Sequence, residues 1–303
     1  MGMKLFLSLI FIIIVMSLLI LYWFVPITES EFFIQNQGSD FSIGKTAQAK
    51  QFYENMRFPD KKISYRIDEE CTLQKKDDII RAFQALEEDT ILDFYAVNQN
   101  EEITIYCDST TKIEEGLFIA GEGGPTNITK AGEFNIITKG KILLFRESKC
   151  PRPNIAIHEL LHVLGFDHVD DPNDIMYEIS KCGQEISPIT IDVINLIYSI
   201  PSYSDLIFEN ITANMQGKYL NVNMSIRNNG FKDAGQAKII IYANDIAVKE
   251  VNLDPLKIGH GRIISLTNVW IGQLSVKNIR LEITASYDEL KKENNEVLLK
   301  VKK

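Results

Sequence analysis

The chain has only four histidines in 303 residues, and three of them fall between His158 and His168. His158 and His162 are four apart, so on a helix they project from one face on adjacent turns. Both imidazoles can then reach one zinc ion at roughly 2.0–2.1 Å. Glu159 directly follows the first histidine, where a carboxylate can take a proton from water held at the metal. Gly165 lets the chain turn sharply, because glycine takes positive φ without steric cost. His168 can then return as the third ligand. Three imidazoles without a nearby free cysteine leave a coordination position for water, the pattern of a catalytic rather than a structural zinc. Glu178 or Glu185 could stand as third ligand instead, but Gly165 and His168 make that unnecessary. Asp167, Asp170, Asp171 and Asp174 are the composition of a polar turn more than of a calcium loop.

The elements that must hold these residues are legible from periodicity. Pro151 and Pro153 suit the first turn of a helix, which runs to Leu164 and stops at Gly165. Upstream, Ile63–Ile67 alternates as a strand and Asp77–Leu92 has the spacing of an amphipathic helix. Ile103–Tyr106 and Lys141–Phe145 read as further strands. Between them, residues 116–140 are rich in glycine and suggest loops around weak or edge strands. A second apolar helix is expected over Pro188–Tyr198. This order indicates an α+β layer over 61–200. After Pro201 the pattern changes to short alternating strands with turns at Asn228-Asn229-Gly230 and Gly259-His260-Gly261. A β-sandwich of about 95 residues is expected there, over 204–303.

The run HELLHVLGFDH, His158 to His168, matches H-E-x-x-H-x-x-G-x-x-H at every defined position. In this it resembles the metzincin clan, and within it the matrixin-like peptidases. The resemblance extends loosely over Lys61 to Ser199. It implies a twisted mixed sheet plus an active-site helix, one Zn2+ on His158, His162 and His168, and Glu159 as general base. It also implies that Met176, in Asp174-Ile-Met176-Tyr177, lies beneath the metal, with Gly165 supporting the turn. Two departures are visible. The segment before Lys61 has no PRCGxPD cysteine switch, and Tyr177 directly follows Met176, whereas the metal-linked tyrosine of astacins lies two residues on. Tyr177 is therefore not assigned as a ligand. From about Ser204 the chain resembles the CARDB domain, an all-β immunoglobulin-like sandwich. Ile226–Gly230, Lys238–Tyr242, Leu256–Gly259 and Asp288–Asn295 carry that resemblance. His260 lies in a turn of this domain, apart from the zinc motif.

Leu5 to Pro26 contains no charged residue, and roughly 20 such residues cross a bilayer as a helix. Lys4 precedes it, Glu29 and Glu31 follow, and Tyr22 and Trp23 sit where interfacial aromatics belong. Residues 1–26 are thus expected to be an uncleaved transmembrane anchor with the N-terminus cytoplasmic. A signal peptide cleaved on secretion is the alternative, although no small-x-small site ends the run. Residues 27–60 read as a stalk. Cys71, Cys107, Cys150 and Cys182 form no C-x-x-C pair, and outside the cell two disulfides are expected. Four cysteines allow three pairings; Cys71–Cys107 and Cys150–Cys182 are preferred because each pair flanks one structural unit. The net charge of −9, without a basic cluster, excludes nucleic acid as a partner. Expected partners are a protein or peptide substrate, the membrane, and a cell-surface ligand of the sandwich. The function expected is a membrane-anchored zinc endopeptidase facing outward, in which Glu159 activates the water. The alternative is a surface adhesion protein with a silent peptidase-like domain.

Overall fold

The computed structural model describes residues 2–24, 29–42, 49–114, 117–273 and 275–302, with the side chains of 2–5, 21–24, 114 and 117 excepted. The side chains of Tyr22 and Trp23, and residues Pro26, Gly116 and Lys303, lie outside the described set.

A helix, α1 (Gly2–Phe24), begins the chain, and its side chains over 6–20 are all exposed. Among the described residues no helix is long and apolar enough to cross a membrane. Next come β1 (Glu29–Gln37), β2 (Met56–Arg57), β3 (Lys62–Ile67), α2 (Leu73–Asp89), β4 (Asp93–Ala96) and β5 (Ile103–Cys107). A small hairpin, β6 (Lys112–Glu114) and β7 (Leu117–Ile119), leads into the long hairpin β8 (Gly121–Ala131) and β9 (Phe134–Leu144). Helices α3 (Asn154–Val163) and α4 (Pro188–Ser199) complete the first domain.

Its sheet has the order β2-β9-β5-β3-β4, all parallel, with β8 antiparallel on the outer side of β9. The sheet is therefore mixed, as expected, because the one hairpin supplies the one antiparallel pair. α2 starts where Thr72 accepts a hydrogen bond from the Lys75 amide at 3.3 Å, an N-cap. It buries Ile79, Ala82, Phe83 and Leu86 against Ile63, Ile103 and Ile105 of the sheet and Leu160 and Leu164 of the α3 region. The region 116–140, read as loops around weak or edge strands, carries β7, the eleven-residue edge strand β8 and most of the eleven-residue β9, so strands dominate it. Cys71 pairs with Cys107, and Cys150 with Cys182, so the preferred connectivity is the one formed. The second disulfide encloses α3 and the whole histidine motif.

The second domain contains β10 (Leu206–Gln216), β11 (Tyr219–Asn228), β12 (Ala237–Ala243), β13 (Ile246–Leu253), β14 (Gly261–Trp270), β15 (Asn278–Ala285) and β16 (Glu296–Val301). Its strands follow the order β13-β12-β15-β16-β1-β10-β11-β14, every pair antiparallel. The inward positions alternate, as in β11, where Leu220, Val222, Met224 and Ile226 are buried.

The segment expected to be a stalk proves otherwise. β1 lies between β16 and β10 as an integral strand: Glu29–Glu31 pair with β10 and Phe32–Gln37 with β16. Its local pattern lacks alternation because most of its side chains face solvent, while its backbone pairing stitches the two halves of the sandwich together. Further along the same segment, Lys50–Phe52 runs beside Gly165–Asp167, with Phe52 N–H donating to the Gly165 carbonyl at 2.9 Å. β2 then enters the first sheet.

A third cluster joins the domains. Phe134 packs between Phe41 (6.1 Å) and Phe231 (4.6 Å, edge to face). Fully buried Arg57 donates to the carbonyls of Phe58, Ile197, Ile200 and Pro59, and lies over the rings of Phe231 at 4.2 Å and Tyr198 at 5.0 Å. Burial lowers its pKa to about 10, which leaves it charged at neutral pH. At Gly259 (φ +69°) the chain passes so close to β8 that a Cβ would sit 2.4 Å from the Lys130 carbonyl oxygen. Only glycine fits there.

Candidate metal centre

Helix α3 starts after Pro153 and carries His158, Glu159 and His162, all buried. It ends at Gly165, whose φ is +98°. Gly165 N–H donates to the His162 carbonyl at 2.9 Å and Phe166 N–H to the Leu161 carbonyl at 3.0 Å, the paired bonds of a Schellman cap. A Cβ at Gly165 would lie 2.6 Å from the Met56 Cβ, so both conformation and space demand glycine. The turn brings His168 back under the helix. The three Nε2 atoms then stand 3.0, 3.1 and 3.2 Å apart.

The contact between His158 and His162 is not a hydrogen bond. His158 Nδ1 donates to the Ile175 carbonyl at 2.6 Å and His162 Nδ1 donates to the Phe166 carbonyl at 2.8 Å. The proton of each of these two rings is thereby held at Nδ1, leaving its Nε2 with only a lone pair. Burial lowers the pKa of both rings, that of His162 to about 4, so both are neutral at pH 7. Converging lone pairs repel unless a cation lies between them, and imidazole nitrogens with the other ring nitrogen donating to a carbonyl are the usual zinc donor set. The residues present therefore fit zinc. Among the described residues no other group of three or more His, Cys, Asp or Glu side chains is close enough to hold a metal. Glu178 and Glu185 are not in this group, and His260 lies in a turn of the other domain.

The methionine segment supports the site through its backbone. Asp174 Oδ1 accepts from the Met176 amide at 2.7 Å, and the Val169 amide donates to the Met176 carbonyl at 3.0 Å. This fixes the Ile175 carbonyl that receives the His158 proton. Met176 is buried in the core with Ile175. The ring of Tyr177 faces Lys181 at 5.8 Å. Asp171 caps its own turn by accepting from Asn173 at 2.9 Å, in keeping with a polar turn.

Glu159 points to the hairpin side of α3. A Cβ at Gly121 would lie 2.8 Å from its Oε1, and one at Gly123 would lie 2.2 Å from its carbonyl oxygen. The glycines of β8 thus let the strand lie directly on the helix. Burial, reinforced by Glu122, pushes the Glu159 carboxyl up to about 8; a cation among the histidines would act in the opposite direction. Sequence reasoning missed Glu122, whose side chain is salt-bridged to Lys112. It also missed Phe52, which stacks on His162 with centroids 5.7 Å apart, and Lys50, 3.3 Å from Asp167. The Gly121-Glu-Gly-Gly124 run was the available signal, since glycines inside a strand mark close approach by another backbone. Nothing in the sequence pointed to Phe52.

Comparison with known proteins agrees with this geometry. The family model of the astacin peptidases matches residues 50–192, and the CARDB model matches residues 204–297. Within the metzincin clan the matching family is thus the astacins, where the sequence motif resembled a matrixin-like member. No curated protein matches the chain. Among solved structures, the CARDB domain of the PF1109 protein from Pyrococcus furiosus, in complex with di-metal ions, matches at 17% identity and a TM-score of 0.26. That match covers 32% of this chain and 84% of that one. The family models thus find an astacin domain at residues 50–192 and a CARDB domain at residues 204–297, the two-part architecture that the sequence motifs resembled.

Proposed function

We propose that the protein is a zinc-dependent endopeptidase, anchored in the membrane by α1 and facing outward. The observation that carries the catalytic reading is the convergence of three Nε2 atoms, two of them with their Nδ1 protons committed to carbonyls, beside a buried carboxylate. His158, His162 and His168 would hold the zinc. Bound there, the ion supplies Lewis-acid polarisation of a scissile carbonyl and of water. Glu159 takes the proton from the attacking water and delivers it to the leaving amine. Its burial under β8 keeps competing solvent from the carboxylate. Met176 and Gly165 act as supports that keep the ligands in place.

β8 pairs with β9 along one edge, and no strand pairs with its other edge among the described residues. An extended peptide fits that edge by strand addition, which would bring its backbone alongside Glu159. The outward address is supported by the uncharged run from Leu5 to Pro26 and by the two disulfides, which persist in oxidising compartments.

The test is hydrolysis of casein and of a peptide library by the full-length protein in detergent. Cleavage should depend on zinc, stop with a chelator and return when zinc is restored. Protein that binds zinc at His158, His162 and His168 but cleaves nothing would refute the enzyme and leave a surface-binding protein.

A further inference from the structure

We propose that the end of the sandwich remote from the peptidase rests on the lipid surface, with Tyr219 and Trp270 at headgroup level. The inference rests on α1 spanning the membrane and adds an orientation to that reading.

Chain direction supplies the first argument. β1 starts at Glu29, opposite Gln216, and ends at Gln37; the next residue, Gly38, lies against Glu293 and Asn294. The Gly38 end is the joint, where Asp40 meets Asn229 at 2.7 Å and Phe41 meets Phe134. The Glu29 end is therefore the far end, and it is also the end tied to α1. Five Cα steps separate Phe24 from Glu29, a reach of at most roughly 18 Å. Whatever holds Phe24 at a membrane holds the β10–β11 turn near it.

Chemistry supplies the second. That turn presents Lys218 and Tyr219, and the cross-strand partner of Tyr219 is Trp270. The two rings meet at 5.5 Å while staying 43% and 51% exposed, with the Lys218 ammonium 5.5 Å from the indole. Elsewhere in the domain the inward aromatics are covered; Phe208 and Phe231 are fully buried. Tyr and Trp present an apolar body and a polar tip, which suits the bilayer interface. Among the described residues the charged groups around this end include Lys218, Lys277, Lys300 and Lys302 against Glu29, Glu31 and Asp245, with Lys302 paired to Glu31 at 3.1 Å and Asp245 3.9 Å from Arg280. This end is thus free of the negative excess of the whole chain, whose net charge is −9. Lipid headgroups meet no electrostatic barrier here.

The consequence is a pedestal. Nine residues of β1 at about 3.3 Å each set the joint roughly 30 Å from the bilayer. The peptidase stands above the sandwich, and its reach starts at that height.

The chain has two tryptophans, Trp23 and Trp270, which makes the test clean. Full-length W23F and W270F proteins are reconstituted into bilayers of phosphatidylcholine and phosphatidylglycerol, with and without bromine on the acyl chains. In W23F, emission from Trp270 should fall about twofold on bromination close to the headgroups, and iodide should quench it less than in detergent, as for an interfacial indole. In W270F, quenching of Trp23 reports the anchor independently. Quenching of Trp23 without quenching of Trp270 would overturn the docking and leave the anchor standing. Absence of both would overturn the anchor, and the docking with it. Protection of Trp270 only after surface polysaccharide is added would assign this face to a carbohydrate and overturn the lipid contact.

Discussion

The metal centre draws His158, Glu159, His162 and His168 from one helix and the turn behind it. The joint between the domains draws Asp40, Arg57, Phe134, Asn229 and Phe231 from stretches spread along most of the chain. Both regions are buried and polar, yet they are specified differently. At the metal centre the spacing of the side chains is set by helix geometry and one cap, so a short sequence carries nearly all the information. At the joint each contact depends on elements brought together only after both domains fold. Damage should separate accordingly: changes at the first site should abolish chemistry and spare the fold, and changes at the second should do the reverse.

His162→Ala is the sharpest break on the first side. Metal content of the full-length protein should fall to near zero, with kcat/KM down by on the order of 10³-fold or more. The disulfide-bracketed helix should remain, so the far-UV spectrum should be unchanged. On the other side, Arg57→Ala strips the donors from four carbonyls and the cation from two rings. At about 1–3 kcal/mol for each buried group left unpaired, part of it relieved by water, a loss of about 3–5 kcal/mol is expected in denaturant unfolding. Zinc binding should survive below the transition. Gly123→Ala lies between the two cases, because its methyl would meet the Glu159 carbonyl oxygen at 2.2 Å. Separating β8 from α3 should cost about 1–3 kcal/mol and lower kcat/KM by moving the strand edge. An alanine variant with wild-type stability and activity would show that β8 does not lie as close as described.

The smallest effect concerns pH at the joint. Asp205 is fully buried, and burial holds its carboxyl well above the usual carboxylate range; the Asn294 hydrogen bonds oppose this, while Asp40 and Glu289 add to it. Burial raises Glu289 as well. Folded Asp205 therefore keeps its proton at pH values where the unfolded chain, with a pKa of about 3.9, has lost it. Its contribution to stability is greatest below about pH 4 and is lost as pH rises through the raised folded value. Asp205→Asn should flatten this slope and raise Tm at pH 8 by a few degrees, roughly the effect of 1 kcal/mol. A slope unchanged in the variant would move its origin elsewhere.

The same contrast explains what could be read from sequence. α3, its stop at Gly165 and the ligand spacing are local, and the structure places them where the sequence reading did. The parallel core strands β3 and β5 were legible from their apolar residues. The pairing of Cys150 with Cys182 followed from the unit they enclose. β1 was not legible, because its partners lie far away in sequence: Glu29 pairs with Gln216, and Phe33 with Lys300. With most side chains solvent-facing, it resembles a linker until those partners arrive. β8 was legible only in part, as a weak or edge strand among loops, for another reason. Gly121, Gly123, Gly124 and Pro125 have turn chemistry, but here the missing side chains of Gly121 and Gly123 make room for α3. Phe52 reaches His162 from a segment that lacks periodicity altogether.

Hydrolysis by Glu159→Ala tests the central claim most directly. Wild-type and variant full-length proteins, each carrying one zinc per chain and unfolding at the same temperature, are compared on one peptide substrate. Equal zinc content is expected, with a kcat/KM lower by about 10²–10⁴-fold in the variant, the range for loss of a general base. Zinc-dependent cleavage at an unchanged rate in Glu159→Ala would contradict it.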